Sequence, residues 1–138
     1  MDRKVTVACA QAEPVILDRE ATIDRIAELA AEAAGNGAEL ISFPETFIPC
    51  YPSNRWVRHL AAGSDPAVRE VFARLVRESV EVPGPACDRL GAIAREHGLW
   101  LATGANERAG GTLYNTLLVF GPDGGLALHH RKLMPTNH

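Results

Sequence analysis

The chain has 138 residues, of which 46% are hydrophobic and 22% charged, and a formal net charge of −3. That size and balance fit one domain with a sizeable core and exclude the hydrophobe-poor composition of disordered segments. The slight acidity, and a longest basic cluster of only His129-His130-Arg131-Lys132, argue against nucleic acid or an acidic membrane surface and leave a small molecule as the expected partner.

Val5 to Ala12 (VTVACAQA) is a run of small and β-branched residues, expected as a buried strand ended by Pro14. Asp18 suits a helix N-cap, with Glu20 in the first turn. Ile23, Ile26, Ala27, Ala30, Ala33 and Ala34 then recur at helical spacing until Gly35-Asn36-Gly37. Glu39 to Phe43 is a second short strand, stopped by Pro44 and followed by a loop to about Asp65, a length that in compact domains often carries function.

Pro66 suits the first position of a helix striped by Val68, Val71, Phe72, Leu75 and Val76. Pro83-Gly84-Pro85 separates it from another, Ala86 to His97, with Leu90, Ile93 and Ala94 as its buried side and Gly98 as its stop. Leu99 to Ala105 is a third strand. Asn115 to Phe120 and Leu126 to His130 form a strand pair around Pro122-Asp123-Gly124-Gly125. Strands alternating with covering helices predict an α/β layered fold.

Cys9, Cys50 and Cys87 are an odd number of cysteines with no CxxC spacing, which argues against a disulfide framework or a structural zinc site. The apolar run at the N-terminus is too short and interrupted for a signal peptide, and no stretch is long enough to span a membrane, so the cytoplasm is the expected compartment. His129 and His130 are adjacent in a strand and so point to opposite faces, which does not make a metal site. There is no HExxH, GxSxG, P-loop or complete GxGxxG.

Two charged residues stand at strand ends, where ligands bind in open α/β sheets. Glu45 sits in FPET, its backbone restricted by Pro44, as a catalytic base requires. Lys132, in HRKLMPT, could offset a developing negative charge. Taken alone, each fits a solvated surface charge better. Cys50, five residues past Glu45, is a poor nucleophile beside a carboxylate, which raises a thiol's pKa. Cys9 is expected as a small buried hydrophobe, and Cys87 as buried or idle.

FPETFIPCYP and HRKLMPTNH, together with NERAGGTLYNTLLVFGPDG and the opening VTVACAQAEPVILDREATIDR, resemble the nitrilase family of carbon–nitrogen hydrolases over essentially the whole chain. The resemblance implies the first half of a four-layer α-β-β-α sandwich, so residues 1–138 are expected to be an incomplete domain lacking its C-terminal half. It implies that Glu45 is the general base and Lys132 the catalytic lysine, and that Tyr51 and Thr136 line the substrate pocket. The family's nucleophilic cysteine lies further past the lysine than His138, so this chain by itself is expected to be inactive.

The implied reaction is hydrolysis of an organic nitrile to carboxylic acid and ammonia through a cysteine thioimidate, with no metal or organic cofactor. A homo-oligomer is implied for the full-length protein. LMPT after the lysine favours a nitrile. An amidase or N-carbamoyl amide hydrolase of the same superfamily, or a non-catalytic remnant, are the alternatives. Cys50 departs from the glycine or aromatic residue that family members often carry there.

Overall fold

The computed structural model of the protein describes residues 3–51 and 66–134. Helix α1 (Arg19–Gly35) starts where the sequence predicts: Asp18 is extended, and its carboxylate accepts the Ala21 N–H at 2.9 Å. It ends at Asn36, whose amide donates back to the Glu32 carbonyl, and at Gly37, whose φ of 80° turns the chain out of the helix. Ile23, Ile26 and Ala30, at helical spacing, are fully buried. Helix α2 (Pro66–Glu78) buries Leu75, while Phe72 of its predicted apolar stripe stays half exposed. Helix α3 (Pro85–His97) stops at Gly98 in the left-handed region and buries Leu90, Ile93 and Ala94.

The strands are β1 (Val7–Cys9), β2 (Leu40–Ser42), β3 (Trp100–Ala109), β4 (Thr112–Phe120) and β5 (Leu126–Arg131), and they lie in the sheet in chain order. The β1–β2 and β2–β3 pairs are parallel, and β3–β4 and β4–β5 are antiparallel. Helices α1 and α3 cover one face, where their apolar residues meet Ile41, Leu101, Leu118 and Phe120 in one core. Arg89 of α3 clamps the two helices by reaching Glu20 and Asp24 of α1.

Two differences from the sequence reading have physical causes. The first strand is shorter than expected and not buried: Val5 and Val7 are 56% and 51% exposed, and Cys9 is exposed. It is an edge strand whose face opposite α1 is covered by none of the described residues, so apolar composition alone misreads its surroundings. The third and fourth strands are longer than expected. They run to a two-residue Gly110-Gly111 hairpin, with Ala109 paired to Thr112. The polar residues Asn106, Glu107 and Arg108 hide this extension from an apolar pattern.

Side chains alternate across a sheet. The register places Val7, Trp100, Gly104, Leu117, Leu128 and His130 on the face away from the helices. Val7, Trp100, Leu117 and Leu128 are between 39% and 51% exposed there.

Candidate active site

Glu45 owes its place to the way the chain leaves β2. After Ser42 the backbone keeps bonding to the edge of β3, from Phe43 N–H to the Ala102 carbonyl (2.9 Å) and from Gly104 N–H to the Pro44 carbonyl (3.2 Å). It bulges outward and returns, with Ile48 N–H bonded to the Gly104 carbonyl (3.2 Å) and Asn106 N–H to the Ile48 carbonyl (2.7 Å). Gly104 lies directly beneath the bulge. A Cβ there would stand 2.3 Å from Thr46 N and 2.6 Å from the Pro44 oxygen. A glycine inside a strand permits that backbone approach.

Thr46 sits at φ 47°, in the left-handed region that is costly for a β-branched residue. Its hydroxyl is buried without a hydrogen-bond partner among the described residues. The Asn106 side chain secures the far end of the loop by donating to the Cys50 carbonyl at 2.9 Å.

Lys132 follows β5 directly, and its backbone N–H donates to the Asn115 carbonyl of β4 at 2.8 Å. Its ammonium donates to Glu45 Oε1 at 2.6 Å, and the Asn115 side-chain amide donates to the same oxygen at 2.5 Å. Residues far apart along the chain thus converge at neighbouring sheet ends. Asn115 holds both partners, Glu45 through its side chain and Lys132 through its main chain. Among the described residues Glu45 Oε2 accepts no hydrogen bond, which leaves that atom available to take a proton.

The Lys132 ammonium, and then the Asn115 amide, hold the Glu45 carboxyl below the usual glutamate range. Glu45 in turn holds the lysine's pKa above its ordinary value, with a smaller contribution from Tyr51. Both side chains are about two-fifths exposed, at 43% and 38%. They open into a cleft of about 400 Å3 that is also lined by Phe43, Gly104, Asn115 and Leu117. A carboxylate held through one oxygen beside an ammonium can relay a proton and offset negative charge on a bound intermediate.

The other residues singled out from the sequence are placed less centrally. Tyr51 is half exposed and is not among the residues lining the cleft. Thr136 lies outside the described residues. None of the three cysteines lines the cleft. Burial pushes the Cys50 thiol up, and the Cys87 thiol to about 11, so neither is poised as a thiolate. Cys9 is exposed rather than packed in a core. His130 lines the cleft, while His129 reaches Glu107 on the helix side. Among the described residues no group of three His, Cys, Asp or Glu side chains could hold a metal ion. No helix among them is long and apolar enough to cross a membrane.

Sequence reasoning missed the roles of Gly104 and Asn115. The glycine was legible as an isolated glycine in the strand LATGA, a mark of close backbone approach. Asn115 carried no local signal, because its importance arises only when β4 is placed between Glu45 and Lys132.

Comparison with known proteins bears on this geometry. The carbon-nitrogen hydrolase family profile matches residues 6–138. An arylacetonitrilase of Hypocrea virens is 40% identical over 99% of the chain and 39% of its own length. An aliphatic nitrilase of Sinorhizobium fredii is 45% identical over 96% of the chain and 43% of its own length, and one of Rhodococcus rhodochrous is 42% identical over 95% and 35%. The chain thus spans about two-fifths of the length of these curated relatives.

Among solved structures, an amidase of Nesterenkonia sp. superposes with a TM-score of 0.68 at 22% identity, covering 97% of this chain and 44% of that one. That likeness concerns the fold, of which the helix-covered sheet makes up one half of an α-β-β-α sandwich. The chain belongs to the carbon-nitrogen hydrolase family, and its similarity to curated nitrilases places it beside the N-terminal part of that family's domain.

Proposed function

We propose that these residues form the glutamate- and lysine-bearing part of a nitrilase, an enzyme hydrolysing an organic nitrile to carboxylic acid and ammonia. The observation that carries this reading is the convergence of Lys132 and Asn115 on one oxygen of Glu45 at the mouth of a cleft. The 40–45% identity to proteins described as nitrilases supports a nitrile over an amide.

A nitrile carbon is weakly electrophilic, so a thiolate suits the attack. In the proposed reaction Glu45 Oε2 takes the proton of a cysteine thiol supplied by residues outside this chain. The sulfur bonds to the nitrile carbon, and the nitrogen gains the proton to give a thioimidate. Water, deprotonated by Glu45, adds to that carbon. Ammonia leaves after protonation, giving a thioester, and a second water releases the acid and restores the thiol. Lys132 offsets the charge on each tetrahedral species, a contribution typically worth about 3 kcal/mol per oriented donor. Neither a metal nor an organic cofactor takes part in this scheme.

Three further readings accompany this one. The chain by itself is catalytically incomplete. The exposed Val7, Trp100, Leu117 and Leu128 seat the remainder of the domain. The full-length protein is a cytoplasmic homo-oligomer, a reading supported by the resemblance to the nitrilase family.

The test is ammonia release from aliphatic, aromatic and arylacetonitriles, and from the matching amides, by a polypeptide extended to the length of the relatives. Nitrile turnover lost in Glu45→Gln and kept in Cys50→Ser is the expected result. Turnover by the 138-residue chain that vanishes in Cys50→Ser would sink the assignment of the nucleophile. A preference for amides would move the enzyme to the amidase branch.

A further inference from the structure

We infer that Glu107 is a positioning residue for the Glu45–Lys132 pair, acting through the sheet from its helix-covered face. Its side chain is 1% exposed and holds three neighbouring side chains together. Oε2 accepts the Thr116 hydroxyl at 2.7 Å and His129 Nε2 at 2.8 Å. Arg131 grips the carboxylate with a fork, Nη2 to Oε1 at 2.5 Å and Nε to Oε2 at 3.1 Å. The Tyr114 ring lies 3.9 Å from the same guanidinium and braces it from another side.

The sequence neighbours of these partners give the arrangement its meaning. Thr116 follows Asn115 and Arg131 precedes Lys132, and Thr116 and Arg131 are paired across β4 and β5. Successive side chains in a strand project to opposite faces. Fixing Thr116 and Arg131 from below therefore fixes the directions in which Asn115 and Lys132 project above, and those two meet at Glu45 Oε1. One buried carboxylate sets the spacing of both donors.

A buried ion pair is seldom the most stabilising way to fill such a site, since apolar packing does as well or better. A planar fork, by contrast, imposes geometry. The catalytic meaning of this positioning rests on the proposed nitrilase reading. The geometry itself does not, and the test separates the two.

The test is an NMR titration of the Glu45 carboxyl in the 138-residue chain, with Glu45→Gln providing the assignment. In Glu107→Gln the Glu45 midpoint is expected to rise by about half a pH unit or more, roughly a threefold or greater gain in proton affinity, because its two donors no longer converge. Loss of a distant negative charge would by itself move the midpoint down, so the sign discriminates between the causes.

Thr116→Val and Arg131→Lys should give smaller upward shifts, and they carry the test if Glu107→Gln does not fold. A folded variant with an unmoved or lowered midpoint overturns the inference. In the extended polypeptide, lost nitrile turnover with an unmoved midpoint also overturns it. A raised midpoint in a protein that hydrolyses no nitrile supports the positioning and sinks the reading of function.

Discussion

Gly104 and Glu45 pack backbone to backbone, so that a Cβ added to the glycine would stand 2.7 Å from the glutamate's Cα. The nearest atoms are all main chain and cannot swing aside as a side-chain end would. Gly104→Ala should therefore push the bulge off β3, costing roughly 1–3 kcal/mol in a urea titration as overpacked substitutions do. If Glu45 serves as the proposed base, a displacement of its carboxylate by about 1 Å should lower kcat/KM in the extended polypeptide by on the order of a hundredfold. Parent-like activity in Gly104→Ala would show that the loop has room to give.

Asn115→Leu should raise the Glu45 pKa toward its ordinary value, since the amide donor is lost while the main-chain bond to Lys132 remains. The acidic limb of the kcat/KM profile, which reports the free enzyme's base, should move up in pH with it. An unmoved limb would show that Lys132 alone sets the carboxyl.

Stability in acid should depend on Glu107. Burial works to raise its pKa, but Arg131, His129 and Thr116 outweigh burial and bring it to about 2 from an ordinary 4.5. A carboxyl depressed in the folded state contributes stability that is complete above its unfolded pKa and lost as pH falls toward its folded one. The difference in unfolding free energy between the parent and Glu107→Gln should therefore shrink by on the order of 3 kcal/mol between pH 4.5 and 2. Urea midpoints measured across that window would check it, and parallel curves would contradict it.

The helix layer offers a contrast between burial and surface charge. Leu90→Ala, at a fully buried position, should cost about 2–5 kcal/mol. Arg89→Ala removes two exposed ion pairs and should cost less than about 1 kcal/mol despite their short distances. Asp18→Ala should fall between these, near 1 kcal/mol, through loss of the cap on Ala21.

Much of this fold is legible in the amino-acid sequence. The spacing of Ile23, Ile26 and Ala30, the Asp18 cap and the Gly98 stop each announce a local event, and each occurs. Glu45 and Lys132 were legible as residues at strand ends within motifs resembling a family. Their contact was not, because it depends on the order of strands in the sheet. The failures share a cause. Val7 and Cys9 have a buried strand's composition but lie at an edge whose outer face the described residues leave bare. Glu107 looks like a surface charge until Thr116 and Arg131 are folded beside it, since a buried charge leaves no periodic trace. Gly104 is the intermediate case, where a local anomaly pointed to the right place without naming what would approach it.

The sheet face that the described residues leave bare has an electrical consequence. Glu45 and Lys132 meet at the rim of a surface that carries Trp100, Leu117 and Leu128, and solvent reaches both head groups. Two unit charges 4 Å apart attract by about 1 kcal/mol in bulk water and by about 4 kcal/mol at an effective dielectric constant of 20. An apolar layer laid across those strands would dry the pair and multiply its mutual hold several-fold, with no atom of either residue having to move. The same layer would strengthen the pull of the lysine on any anion placed beside it, so that the dryness of this surface would set the strength of the lysine's field.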